Sequence, residues 1–318
     1  MTLPWSDEQA RWILKRTATL RARGAKPVNG VVLPTHEFFP DQLDRSPKTI
    51  ARFFGRMLEL GGLDFLDVKL ELVAEGDDPN AASKGCSSGG CSSPGLRLPQ
   101  AEFKRLDKRS EGAFTARITE GETQHPTVLA VAMSRLVAAM FLSELDCWSV
   151  FGKQEREGAV DLAAVALGFG ALIANGSAIE VAGCGGKKVH SATALGAGET
   201  SFALALSCAL EGTPASRVAR YLSAPLASPF DVAARTIAAN REVVGRIDSA
   251  PASVEDGYFT LNPPAGAFFG RIRSMFSKKD EEDAFVPLPP STKKPRDPEK
   301  EAKLRELRAL VDETLGST

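Results

Sequence analysis

Two long apolar stretches with a short polar connection between them constrain this chain more than anything else in it. The first, VLAVAMSRLVAAMFLSELDCW, starts at Val128, and the second, VDLAAVALGFGALIANG, ends at Gly176. Both are apolar on nearly every side, so each reads as a helix packed into a core rather than lying on a surface. The run 162–174 is too short, and too interrupted by glycine, for a membrane span. Inside such helices the few polar residues carry the information: Ser134 and Arg135 in the first, Glu157 and Asp161 at the entry to the second. Each has an ordinary explanation. A serine on a buried helix bonds a preceding carbonyl, and acids in a first turn suit the helix dipole.

Elsewhere the local signals are plain. Ser6 is placed to cap a helix over 6–22, and Ser46-Pro47 opens an amphipathic helix through Leu60 that Gly61-Gly62 stops. NGVVL reads as a short apolar strand, and LDVKLELVAE alternates as a half-exposed one. GAFTARITE is a further strand, and Pro126 suits the first turn of the first core helix. The connection SVFGKQEREG reads as polar and exposed, and SAIEVAGCGGKKVHSATALGAGE as loop. Helices are expected from Glu199 to Glu211, over 214–222 and from Pro229 to Arg246.

The stretch GAFTARITEGETQHPTVLAVAMSRLVAAMFL followed by EREGAVDLAAVALGFGALIANG resembles an uncharacterised bacterial family with a gluzincin-like helix pair. In such zincins one helix carries HExxH, whose two His hold zinc while the Glu activates water. The next helix supplies a Glu ligand and, four residues later, an Asp that orients a His. Placed on that frame, the two His positions fall on Ser134 and Ala138, and the catalytic Glu on Arg135. Glu157 and Asp161 stand where the ligand and the orienting carboxylate would be. GAFTARITE takes the place of the edge strand that flanks the motif helix. The resemblance covers roughly residues 25–245 and implies a zincin-like fold whose catalytic apparatus is lost. It further implies that Arg135 fills the vacated metal position and pairs with Glu157, Asp161 or both.

The three His and five Cys offer little else to a metal. His36-Glu37 is half of a metal motif, but Phe38, Phe39 and Pro40 follow it, so no helix presents a second His. Cys86 and Cys91 lie in a Gly/Ser loop over 76–99, where idle thiols are the simplest reading and metal or redox chemistry the alternative. Cys184 and His190 sit around a Gly-Gly-Lys-Lys turn, a weak platform for a nucleophile pair. Cys147 and Cys208 fall in apolar helical contexts as packed thiols, which fits a reducing, cytoplasmic setting.

The net charge of −1 leaves no basic excess to neutralise phosphates, so nucleic acid is not an expected partner. MTLPWSDEQARW lacks the basic and apolar regions of a signal peptide. The globular part is expected over 1–248, with a linker over 249–295 and a last helix over 296–316. Within that tail, 266–279 is basic and amphipathic. Its apolar side (Phe268, Phe269, Ile272, Met275, Phe276) and the stripe Leu304, Leu307, Leu310, Val311 of the last helix are the expected partner-binding surfaces. Acids follow the basic segment at once, so membrane-surface contact is only weakly supported.

The expected fold is therefore α+β and mostly helical, with a small sheet against a zincin-like core of helices. The expected function is that of a catalytically inactive binding, scaffold or regulatory protein without a cofactor. An enzyme with substituted metal ligands, or a thiol enzyme on Cys86/Cys91, is the rival reading.

Overall fold

The structure is a computed structural model that describes residues 3–41, 43–73, 105–183 and 186–263, all within one unit, Met1–Phe268. Helix α1 (Asp7–Ala22) starts on a reciprocal cap. The Ser6 hydroxyl accepts the Gln9 N–H at 3.1 Å, and the Gln9 side chain accepts the Ser6 N–H at 2.6 Å. Helix α2 (Pro47–Leu60) begins on the Ser46 cap with proline in its first turn, where a missing N–H costs nothing. The NGVVL segment between them is not a strand. Val31, Val32 and Leu33 are buried, and the Val32 N–H donates at 2.8 Å to the Gly168 carbonyl, a helical partner rather than a neighbouring strand.

Strands β1 (Asp67–Val73), β2 (Leu106–Ser110) and β3 (Ala113–Thr119) form one sheet in the order β1-β3-β2. β1 runs parallel to β3 and β2 antiparallel to it. GAFTARITE is thus the central strand, not an edge. Its second neighbour, LDKRS, has no apolar alternation and pairs as an exposed edge strand. Phe114, Ala116 and Ile118 of β3 are fully buried on the side that faces the helices.

The short α3 (Glu120–Thr123) leads into α4 (Pro126–Glu144), buried almost continuously from Val128 to Leu142. The second apolar stretch forms α5 (Arg156–Ala164), a π turn (Val165–Phe169) and α6 (Gly170–Ser177). By length and composition alone α4 and Arg156–Ser177 could each cross a membrane, yet 78% and 94% of their apolar windows are buried inside this fold. Where a loop was expected, β4 (Ile179–Gly183) and β5 (Gly186–His190) pair as an antiparallel hairpin. Helices α7 (Ala197–Leu210), α8 (Ala215–Ala219), α9 (Ala227–Ala239), α10 (Arg241–Ser249) and α11 (Pro251–Glu255) follow. The single helix expected from Pro229 to Arg246 is broken at Asn240. The buried Asn240 amide donates to the carbonyls of Thr236 (2.7 Å) and Asn262 (2.9 Å), and its oxygen accepts the Asn262 N–H (2.8 Å).

The architecture is α+β and mostly helical. α4 packs along α5 and α6 with the sheet beside it, α7 lies against α6 and α9, and α1 closes over α5, α7, α10 and α11. Packing continues past the boundary expected at 248. Val254 and Phe259 are buried, and the Arg11 guanidinium stacks on the Phe259 ring at 5.7 Å while donating to the Phe259 carbonyl. The loop 76–99 with Cys86 and Cys91, Cys184, and the tail segments 266–279 and 296–316 lie outside the described residues. Cys147 and Cys208 are buried free thiols. Burial pushes Cys208 up to about 12 and Cys147 upward as well, so neither is a ready nucleophile.

Docking of α10 on α1 rests partly on charge. The buried Arg21 donates to Asp248 (2.8 Å) and Glu211 (2.7 Å), and its hydrogen bond holds the Asp248 carboxyl below the usual range. A carboxyl lowered in the folded state contributes stability above its unfolded value and loses that contribution as pH falls through the folded one. Asp248→Asn is therefore expected to lower the melting temperature at pH 7 and to leave a smaller further loss between pH 5 and 3 than the unaltered protein shows. Parallel melting curves for the two proteins over that range would contradict the assignment.

Candidate functional site

Five positions singled out in the sequence lie on two packed helices. On α4, Ser134, Arg135 and Ala138 are all buried, and on α5 Asp161 is fully buried while the Glu157 side chain is 39% exposed. The Ser134 hydroxyl donates to the Ala130 carbonyl at 2.7 Å, the local bond that a buried helical serine makes. Fully buried and with its proton committed to that carbonyl, it is not placed to act as a nucleophile. Ala138 adds only volume.

Arg135 sits between the carboxylates. It is the bulkiest of the fully buried side chains, at 1% exposure. Its Nη1 donates to Asp161 Oδ1, and its Nη2 donates to Glu157 Oε2 at 3.1 Å. Nε makes no hydrogen bond within the protein. The other oxygen of Asp161, Oδ2, accepts the backbone N–H groups of Ala194 (2.7 Å) and Leu195 (2.9 Å). One carboxylate thus ties α4 to α5 and pins the loop that leads from β5 into α7. Burial pushes the Asp161 carboxyl up, while Arg135 and the two N–H groups pull it back. Burial also raises Glu157, again opposed by Arg135. The arrangement has the parts of a structural clamp: a permanent cation, two anions and no free proton acceptor beside a nucleophile.

Zinc does not fit this site. The two helices bring no imidazole to it, and a guanidinium occupies the space between the carboxylates that a cation would need. The His residues lie elsewhere: His36 in the segment before α2, His125 at the start of α4, His190 at the end of β5. Among the described residues no group of three or more His, Cys, Asp or Glu side chains is placed to hold a metal ion.

A second feature lies beside α4. A cleft of about 730 Å³ opens between residues 34–41 with Leu43, the first turns of α4, the end of α6 with the start of β4, and residues 220–223. Phe39 and Phe53 stack at 5.0 Å in one wall. The opposite wall is fixed by Asn175 at the end of α6, whose amide donates to the Tyr221 carbonyl (2.8 Å) and whose oxygen accepts the Ser223 N–H (2.8 Å). The lone asparagine ending an apolar helix was the only trace of this wall in the sequence. No family model, curated protein or solved structure matches this chain.

Proposed function

We propose that this protein is a catalytically inactive, zincin-derived binding protein, acting as a scaffold or regulatory component and not as a hydrolase. The observation that carries this reading is the Arg135 guanidinium between Glu157 and Asp161, with Ser134 and Ala138 in the two positions where the family resemblance calls for imidazoles. Hydrolysis by a zincin needs a held metal with an open water position and a base for that water. Arginine can neither bind the ion nor accept the proton. The setting proposed is cytoplasmic, and the partner is a protein engaged through the C-terminal segments with Phe268, Phe269 and Leu304.

Three measurements on one preparation test this. The protein purified without chelator is expected to contain no stoichiometric zinc and to cleave no peptide. Full-length protein is expected to retain a partner in pull-downs that a chain ending at residue 264 loses, while both chains melt at nearly the same temperature. A fall of about ten degrees on truncation, against the few degrees that each kcal/mol is worth, would mean that the tail belongs to the fold. Zinc-dependent hydrolysis abolished by Glu157→Ala would end the inactive reading.

A further inference from the structure

The cleft beside α4 goes beyond that reading, because its chemistry suits a small molecule whatever the origin of the helix pair. Its body is apolar, formed by Phe39, Phe53, Leu172, Ile179 and Leu222, and its volume of about 730 Å³ falls within the range of ligand sites. Both walls are preformed, one by the aromatic pair and the other by the Asn175 latch.

Charge decides what the polar end recognises. Two carboxylates line the cleft: Asp41 stands at an exposed position 3.9 Å from Arg52, and Glu180 has a partner of its own. Arg220 lines the cleft as well, exposed, and among the described residues no acid or carbonyl holds it. It stands three residues after Arg217, which pairs with Glu37 at 3.4 Å, so the end of α8 and the His36–Glu37 segment meet at one end of the cleft. His36 and Thr35 line that same end. The Thr35 hydroxyl is buried and makes no hydrogen bond within the protein. A guanidinium with no acid partner among the described residues and an imidazole, lining an apolar cleft, select an anionic head on an apolar body.

We propose that this cleft binds a medium- or long-chain carboxylate, with its alkyl chain along Phe39, Phe53 and Ile179 and its carboxylate at Arg220. Titration calorimetry on the full chain with decanoate, dodecanoate and tetradecanoate, all below their micelle concentrations, tests the idea. Saturable one-to-one binding is expected, tightening by up to about fourfold for each methylene buried. The neutral probe 1-dodecanol is expected to bind about tenfold or more weakly than dodecanoate, the value of one charge-assisted hydrogen bond. Arg220→Ala, an exposed substitution, should weaken dodecanoate to the level of dodecanol and leave dodecanol unchanged. Ile179→Glu should abolish both, and its melting curve reports whether it folds. The absence of saturable binding would overturn the proposal. So would dodecanol binding as tightly as dodecanoate, an unchanged dodecanoate affinity in Arg220→Ala, or an uncharged apolar pentapeptide displacing the bound dodecanoate at lower concentration than dodecanol does.

Discussion

Arg135→Leu is expected to cost about 3–5 kcal/mol of stability, the usual penalty for stripping one partner from a buried ion pair. At about 2–4 °C per kcal/mol for a chain of this size, the melting temperature should fall by about 10 °C. The cost comes from Asp161, which is fully buried and would keep only the Ala194 and Leu195 N–H groups to offset its charge. Glu157, half-exposed, can turn to water, so Glu157→Ala should change stability by no more than about 1 kcal/mol. Adding Asp161→Asn to Arg135→Leu should restore much of the loss, because the amide oxygen still accepts those N–H groups while the unpaired charge is gone. Such recovery is the signature of coupling in a double-mutant cycle.

The pH dependence has a definite sign. With Arg135 absent only the Ala194 and Leu195 N–H groups oppose the burial that already raises the Asp161 carboxyl. A carboxyl raised in the folded state binds more protons there than in the unfolded chain over the window between the two values, so stability rises as pH falls through that window. The deficit of Arg135→Leu should therefore shrink from pH 8 towards pH 5. A melting temperature within two or three degrees of the unaltered protein at pH 8 would mean that the clamp does not hold the helices together.

Gly168→Ala is the second large effect, at about 3 kcal/mol or more. Gly168 lies in the π turn between α5 and α6 with φ +104°, a conformation that any side chain strains. A Cβ there would also stand 2.7 Å from the Gly30 carbonyl oxygen and 2.9 Å from the Pro27 Cβ, inside the segment that crosses the helix. The carbonyl of Gly168 holds that segment through the Val32 N–H. Backbone strain and a collision with backbone thus combine. Gly24→Ala separates the two: its φ is +91° but a Cβ would touch nothing within 4 Å, so about 1 kcal/mol is expected. Equal losses in the two variants would show that strain alone is at work and that the crossing segment adjusts freely.

What could be read from the chain was whatever neighbouring residues settle among themselves. Caps at Ser6 and Ser46, proline at position 126, the burial of both apolar stretches and the extended form of β1 are set locally, although Leu72 of β1 is exposed and the alternation stops at Leu70. The pairing of Arg135 could be read only through the family resemblance, because its anions lie 22 and 26 residues away on another helix. The tertiary structure decided everything that needed a distant partner. LDKRS has no pattern of its own and is a strand only because β3 offers it a ladder, which makes β3 central. Asn240 breaks a continuous helical pattern because residue 262 returns to bond it, and Val32 leaves the strand class because its partner is a kinked helix. The cleft depends on residues 34–41, 172–180 and 220–223 meeting, and Asp161 gains the loop at 194–195 only once α7 has docked. Helical periods and caps act over a few residues, whereas pairing, latching and cavity shape are set by contacts between segments far apart in the chain, which no local pattern records.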